Sequence, residues 1–127
     1  MVEAISPVTF RELRIATAWN VRGDARDASF LAEAGRLLGP LPVVPSTSAR
    51  HDDGASLWLG PRSWLFVAGP ASRARDFDAT RVAINAAGGA LFDVSASYVG
   101  WTIAGLHAAR VLNRECPLDL SDRKSVV

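Results

Sequence analysis

The sequence predicts an α+β domain, and three observations carry that reading. Two stretches repeat apolar residues at helical spacing behind aspartate caps. Five short runs are rich in apolar, aromatic and β-branched residues. One pair of those runs is joined by Gly60-Pro61-Arg62-Ser63, a turn signal that makes a hairpin and so favours antiparallel pairing over a parallel α/β sheet.

Taken in order, Leu13, Ile15, Trp19 and Val21 alternate with Glu12, Arg14, Asn20 and Arg22, the period of one half-buried strand, although Thr17 falls on the apolar side. Asp24 and Asp27 then offer N-caps for a helix over 28–38. Phe30, Leu31, Ala34, Leu37 and Leu38 share its inner face. Gly39 supplies the stop, and Pro40 and Pro42 prevent continuation. The stretch 43–56 has no periodicity and is expected to be a loop. The hairpin follows, with Leu57-Trp58-Leu59 and Trp64-Leu65-Phe66-Val67 as its strands.

Asp76 or Asp78 caps a second expected helix, with Phe77, Thr80, Ile84 and Ala87 on one face and Gly88-Gly89 as its end. Two strand-like runs, 90–95 and 98–103, come next. A short third helix is expected from Gly105 to Asn113, with Ala108, Val111 and Leu112 inward. Pro117 ends any helix there. The predicted order is strand, helix, hairpin, helix, two strands, helix, in a single domain over 1–127.

The bulk composition narrows the function classes. Fourteen basic and thirteen acidic residues leave a net charge of +1, which gives no electrostatic footprint for nucleic acid. Cys116 is the single cysteine, so an intrachain disulfide and a cysteine-rich zinc site are excluded. The stretch Tyr98 to Leu112 is interrupted by Gly100, Gly105, His107 and Arg110 and falls short of the roughly 20 apolar residues of a membrane span. Met1 to Ile5 lack the basic and apolar regions of a secretory leader, and a cytoplasmic protein is expected.

Residues able to do chemistry are few. His51-Asp52-Asp53 is the one local cluster of ligand-type side chains, and it reads as a solvated turn, since a metal site needs further ligands. Ser95 lacks the G-x-S-x-G elbow of a hydrolase nucleophile. Cys116 has no neighbouring His or Lys to lower its pKa and reads as a structural thiol. His107 reads as a helix-surface residue. Gly88-Gly89 follows a helix, where a dinucleotide loop would lie between strand and helix. Among the tryptophans, Trp101 is expected in the core. Trp58 and Trp64 stay open between core packing and an interface anchor.

Four segments in register resemble one family. Asn20-Val21-Arg22-Gly23-Asp24 is similar to an NLRGD segment, and Leu57 to Leu65 (LWLGPRSWL) is similar to LWLGPDEWL. Asp93-Val94-Ser95 resembles the start of DVSHR. Ala109-Arg110-Val111-Leu112 with Cys116-Pro117-Leu118-Asp119-Leu120 resembles ARDVLAKGCPLDL. All four strings are those of the gamma subunits of heterotetrameric sarcosine oxidase, and the resemblance covers residues 16–120.

That resemblance implies a ferredoxin-like α+β fold, distantly related to the folate-binding domain of the glycine cleavage T-protein (an aminomethyltransferase). It implies a structural subunit without catalytic residues of its own. FAD, FMN, NAD and tetrahydrofolate would sit in the partner subunits, and larger flavoprotein subunits would be the partners. Related subunits occur in N-methylglutamate dehydrogenase complexes, so the amine substrate is not implied. Trp58, Trp64, Pro117, Leu118 and Leu120 are the candidate subunit-interface residues.

Two departures stand out: Ser95-Ala96-Ser97 replaces SHR, and Arg62-Ser63 replaces the acidic pair of GPDEW. The family also continues beyond CPLDL with further strands and a helix, whereas Ser121 to Val127 end this chain. Apolar faces left open by that shortening predict self-association or cover by a larger subunit. The alternative reading is a free-standing folate- or small-ligand-binding module using Asp93 and Asp119. An independent enzyme built on Ser95, His107 or Cys116 comes last.

Overall fold

The computed structural model describes residues 8–51, 54–105 and 107–113. These divide into two compact units, one spanning Arg14–Tyr98 and the other holding the segments on either side of it.

The larger unit is a five-stranded antiparallel sheet carrying two helices. Its strands are β2 (Thr17–Arg22), β3 (Ser48–His51), β4 (Gly54–Gly60), β5 (Ser63–Ala68) and β6 (Ala90–Asp93), in the order β3-β4-β5-β2-β6. Helix α1 (Ala28–Leu38) connects β2 to β3, and α2 (Phe77–Ala86) connects β5 to β6. The second unit is a two-stranded antiparallel ribbon of β1 (Thr9–Leu13) and β7 (Gly100–Ala104), followed by α3 (Ala108–Asn113).

Both long helices begin where their caps dictate. The Asp27 carboxylate accepts from the N–H groups of Ser29 and Phe30, and Asp76 accepts from Ala79, so each satisfies first-turn donors that a helix leaves orphaned. Gly39 ends α1 at φ 88°, a backbone region that any Cβ makes costly. From α1, Phe30, Ala34 and Leu38 are buried, with Leu31 and Leu37 packed at the margin. From α2, Ile84 and Thr80 are buried.

One face of the sheet presents Trp19, Val21, Trp64, Phe66, Ala68 and Leu91 to this core. Its aromatic rings touch in edge and tilted geometries: Trp19 with Phe77 at 5.3 Å, Trp19 with Phe66 and Phe30 with Trp64 each at 5.9 Å. Strand period 2 puts Ala18, Leu65, Val67 and Ala55 on the opposite face, where Ala18 and Leu65 are also buried. Hence Trp64-Leu65-Phe66-Val67 is a continuous apolar run, because β5 is central and carries buried side chains on both faces.

Two expectations need correction. The strand expected over Leu13 to Arg22 is two strands in different sheets: β1 pairs with β7, whereas β2 pairs with β5 and β6. The odd-numbered apolar residues keep one phase throughout, but Leu13 is exposed and Trp19 and Val21 are buried, so one alternating pattern serves two environments. The expected loop 43–56 contains β3 and the start of β4. Those residues are polar because β3 is an edge strand, and pairing to β4 overrides weak intrinsic preference. The two strand-like runs near 90–103 both form, as β6 and β7, but neither pairs with the other.

Candidate subunit interface

The β1–β7 ribbon places two large exposed aromatic side chains, Phe10 and Trp101, on one side. Phe10 stands opposite Ile103, and Glu12 stands opposite Trp101. Alternation therefore puts Phe10, Glu12, Trp101 and Ile103 on a common face, with Phe10 and Trp101 diagonal neighbours at about 7–8 Å. Phe10 is 57% exposed and Trp101 61% exposed. An isolated two-stranded ribbon is at best marginally stable in water, so an apolar face on such a ribbon is stabilised by whatever covers it.

Trp101 is thus not a core residue, contrary to the sequence expectation. It lies on a ribbon of only two strands, and its β-rich neighbourhood signalled a strand without indicating how many partners that strand has. Phe10 was missed altogether; the alternation Thr9-Phe10-Arg11 was the available signal.

The hairpin tryptophans separate. Trp64 has no exposed surface, and its indole N–H donates to the Pro42 carbonyl oxygen at 2.6 Å, so it is core and anchors the chain leaving α1. Trp58 stands opposite it in the β4–β5 register and is half-buried at the core margin. Leu59, in the irregular step between Trp58 and Gly60, is exposed. Pro61 at the turn fixes a negative φ that the favoured hairpin turns do not accept, and the bulge takes up the mismatch in twist. Pro117, Leu118 and Leu120 lie outside the described residues, as do Asp52, Asp53, Cys116 and Asp119.

His51, Ser95 and Asp93 have structural partners. His51 is itself a strand residue at the end of β3, stacked on Phe66 at 5.9 Å and 9°, where a side chain of a solvated turn was expected. Ser95 Oγ donates to Asp93 Oδ1 at 2.6 Å and accepts from the Ala18 N–H at 2.9 Å. The Ser95 N–H also donates to Asp93 Oδ1. Ladder pairing of β2 with β6 ends at Trp19 and Asp93. Beyond it the Val94 N–H donates to the Ala18 carbonyl, and the Ser95 hydroxyl stands in for a strand acceptor. Asp93, a candidate folate contact, thus spends one carboxylate oxygen on its own turn. His107 is exposed.

The departures from the resembled motifs fall on the surface. Ala96 and Ser97 are exposed. Arg62, standing where the resembled string has an acid, lies 3.6 Å from Asp24 Oδ2. Asp24 is also bonded to Arg26, and the hydrogen bond from that side chain first, then the one from the Arg26 backbone N–H, then the guanidinium charges, hold its carboxyl below the usual range.

The fold and this surface define a small antiparallel α+β protein whose two-stranded ribbon exposes Phe10 and Trp101 and which has, among the described residues, no group of three or more metal-ligating side chains. Among solved structures, the chain is similar to heterotetrameric sarcosine oxidase from Corynebacterium sp. U-96 in complex with pyrrole 2-carboxylate. The identity is 30% and the TM-score 0.79, over 94% of this chain and 61% of that one. This chain therefore spans less than two thirds of that relative's length. The likeness supports the sarcosine oxidase family and does not single out a subunit. No family model matches the sequence. No curated protein matches it either.

Proposed function

We propose that this chain is a non-catalytic structural subunit, gamma-like, of a heterotetrameric sarcosine oxidase-type complex that demethylates an N-methyl amine oxidatively. The observation that carries this reading is the likeness to a chain of such a complex over nearly the whole of this one. The exposed ribbon face adds a physical reason for partners, since Phe10 and Trp101 on one side form the kind of aromatic surface that is enriched at subunit contacts. Its occupant is a larger flavoprotein subunit. FAD, FMN, NAD and tetrahydrofolate belong to the partners in this reading, the finer fold is ferredoxin-like and of the folate-binding type, and the compartment is the cytoplasm.

Co-expression with the large subunits of such an oxidase tests the proposal. Co-elution of the chain with flavin absorbance at the mass of the complex supports it. Elution of the chain apart from a fully assembled, active oxidase contradicts it.

A further inference from the structure

On the ribbon, Glu12 is the one charged residue among the four that share a face, Phe10, Glu12, Trp101 and Ile103. It is exposed and forms no ion pair among the described residues. The neighbouring Arg11 belongs to the opposite face, since successive side chains of a strand alternate.

Glu12 stands directly opposite Trp101, which holds their Cβ atoms about 4.5–5.5 Å apart. A carboxylate and an indole at that spacing suit one kind of group. A guanidinium stacks on an aromatic ring by its flat face and bonds carboxylate oxygens along its edge. Arginine meets an aromatic ring in the same way inside the larger unit, where Arg75 Cζ lies 4.8 Å from the Phe66 centroid.

Other occupants fit this face poorly. A wholly apolar surface would take the Glu12 carboxylate out of water without a counter-charge, which is strongly unfavourable. A second copy would add a second carboxylate. Residues i and i+2 of a strand lie about 7 Å apart and neighbouring strands about 5 Å, so the face is small. A two-fold axis through it would set the two Glu12 carboxylates within roughly 10 Å, like charge against like.

We infer that the partner covering the ribbon face presents an arginine to it, stacked on Trp101 and bonded to the Glu12 carboxylate. This rests on the subunit reading and states the chemistry of the large subunit's contact.

Calorimetric titration of the full chain into the large subunits of such an oxidase tests it, with wild type, E12Q, E12K and D78N in parallel. E12Q keeps the shape of the side chain and removes its charge. D78N removes the same charge from an exposed position on α2. Binding roughly tenfold weaker in E12Q, weaker again in E12K and near wild type in D78N supports the contact, as does a salt dependence that E12Q flattens. Wild-type binding that E12Q matches or exceeds, or that D78N weakens equally, overturns the arginine contact and leaves the subunit reading standing. No binding by the wild type overturns both.

Discussion

The side-chain amide of Asn20 donates to the carbonyl oxygen of Trp64 at 2.9 Å, and with its other contact to Ser63 Oγ at 2.9 Å it fixes where β5 begins beside β2. The Gly23 N–H donates to the Arg62 carbonyl at 3.2 Å, and Asp24 faces Arg62, so 20–24 and the hairpin turn are stitched together along their length. These are two of the segments that resemble one family, and their meeting gives that resemblance a mechanical meaning. Asn20→Ala strips both donors and is expected to cost about 1–2 kcal/mol, read as a lower urea midpoint at unchanged slope.

Phe30 sits where two glycines leave room for its ring. A Cβ on Gly23 would lie 2.4 Å from Phe30 Cζ, and one on Gly89 would lie 2.4 Å from Cε1. Gly23→Ala is expected to destabilise by about 1–3 kcal/mol, because a buried ring in a close-packed core has little freedom to retreat. Gly60→Ala is the control: beyond its two chain neighbours, no atom stands within 4 Å of its added Cβ. Thermal unfolding of the two variants should differ clearly, with the Gly60 variant near wild type.

Ser95 reads as structural, and its replacement separates that role from a catalytic one. Ser95→Ala leaves the N–H of fully buried Ala18 without its acceptor, at an expected cost of about 1–3 kcal/mol. Amide exchange at Ala18 and Val94 should accelerate. Assembly with partner subunits and the activity of the assembled oxidase should persist wherever the chain stays folded.

Asp24 and Glu33 are each bonded to an arginine on the surface, and both carboxyls are held below their ordinary values of 3.8 and 4.5, chiefly by those side-chain hydrogen bonds. A carboxyl with a depressed folded-state pKa stabilises the fold above its unfolded value, and that contribution fades as pH falls through the lower folded one. Carboxyl-carbon NMR titration should give midpoints below 3.8 for Asp24 and below 4.5 for Glu33. In R36Q the Glu33 midpoint should return toward its ordinary value.

The sequence made some elements plain and hid others for physical reasons. Both long helices were legible to their caps, because Asp27, Gly39 and Asp76 act locally and need no tertiary partner. The hairpin was legible from its turn, although its bulge at Leu59 was not. Strand β3 was hidden, since Ser48 to His51 become a strand only by pairing with β4. The division of one alternating run into β1 and β2 was hidden as well, because period 2 reports alternation without naming the sheet. At the candidate interface, aromatic composition pointed to tryptophans but not to which of them are buried. Trp64 is the core residue, and Trp101 the surface one.

The ribbon face makes the most specific claim about partners. Trp101→Glu places a charge on an exposed position, so the isolated chain should melt close to wild type. Loss of a central aromatic anchor should cost roughly 2 kcal/mol or more of partner affinity, about 30-fold. Affinity capture of the tagged chain from its own cells, with wild type and Trp101→Glu in parallel and mass spectrometry of what comes with each, tests the account most directly. It predicts flavin-containing large subunits with the wild type and their strong depletion with the variant. Recovery of the wild-type chain alone or only with copies of itself, or equal recovery of the large subunits by both forms, would contradict it.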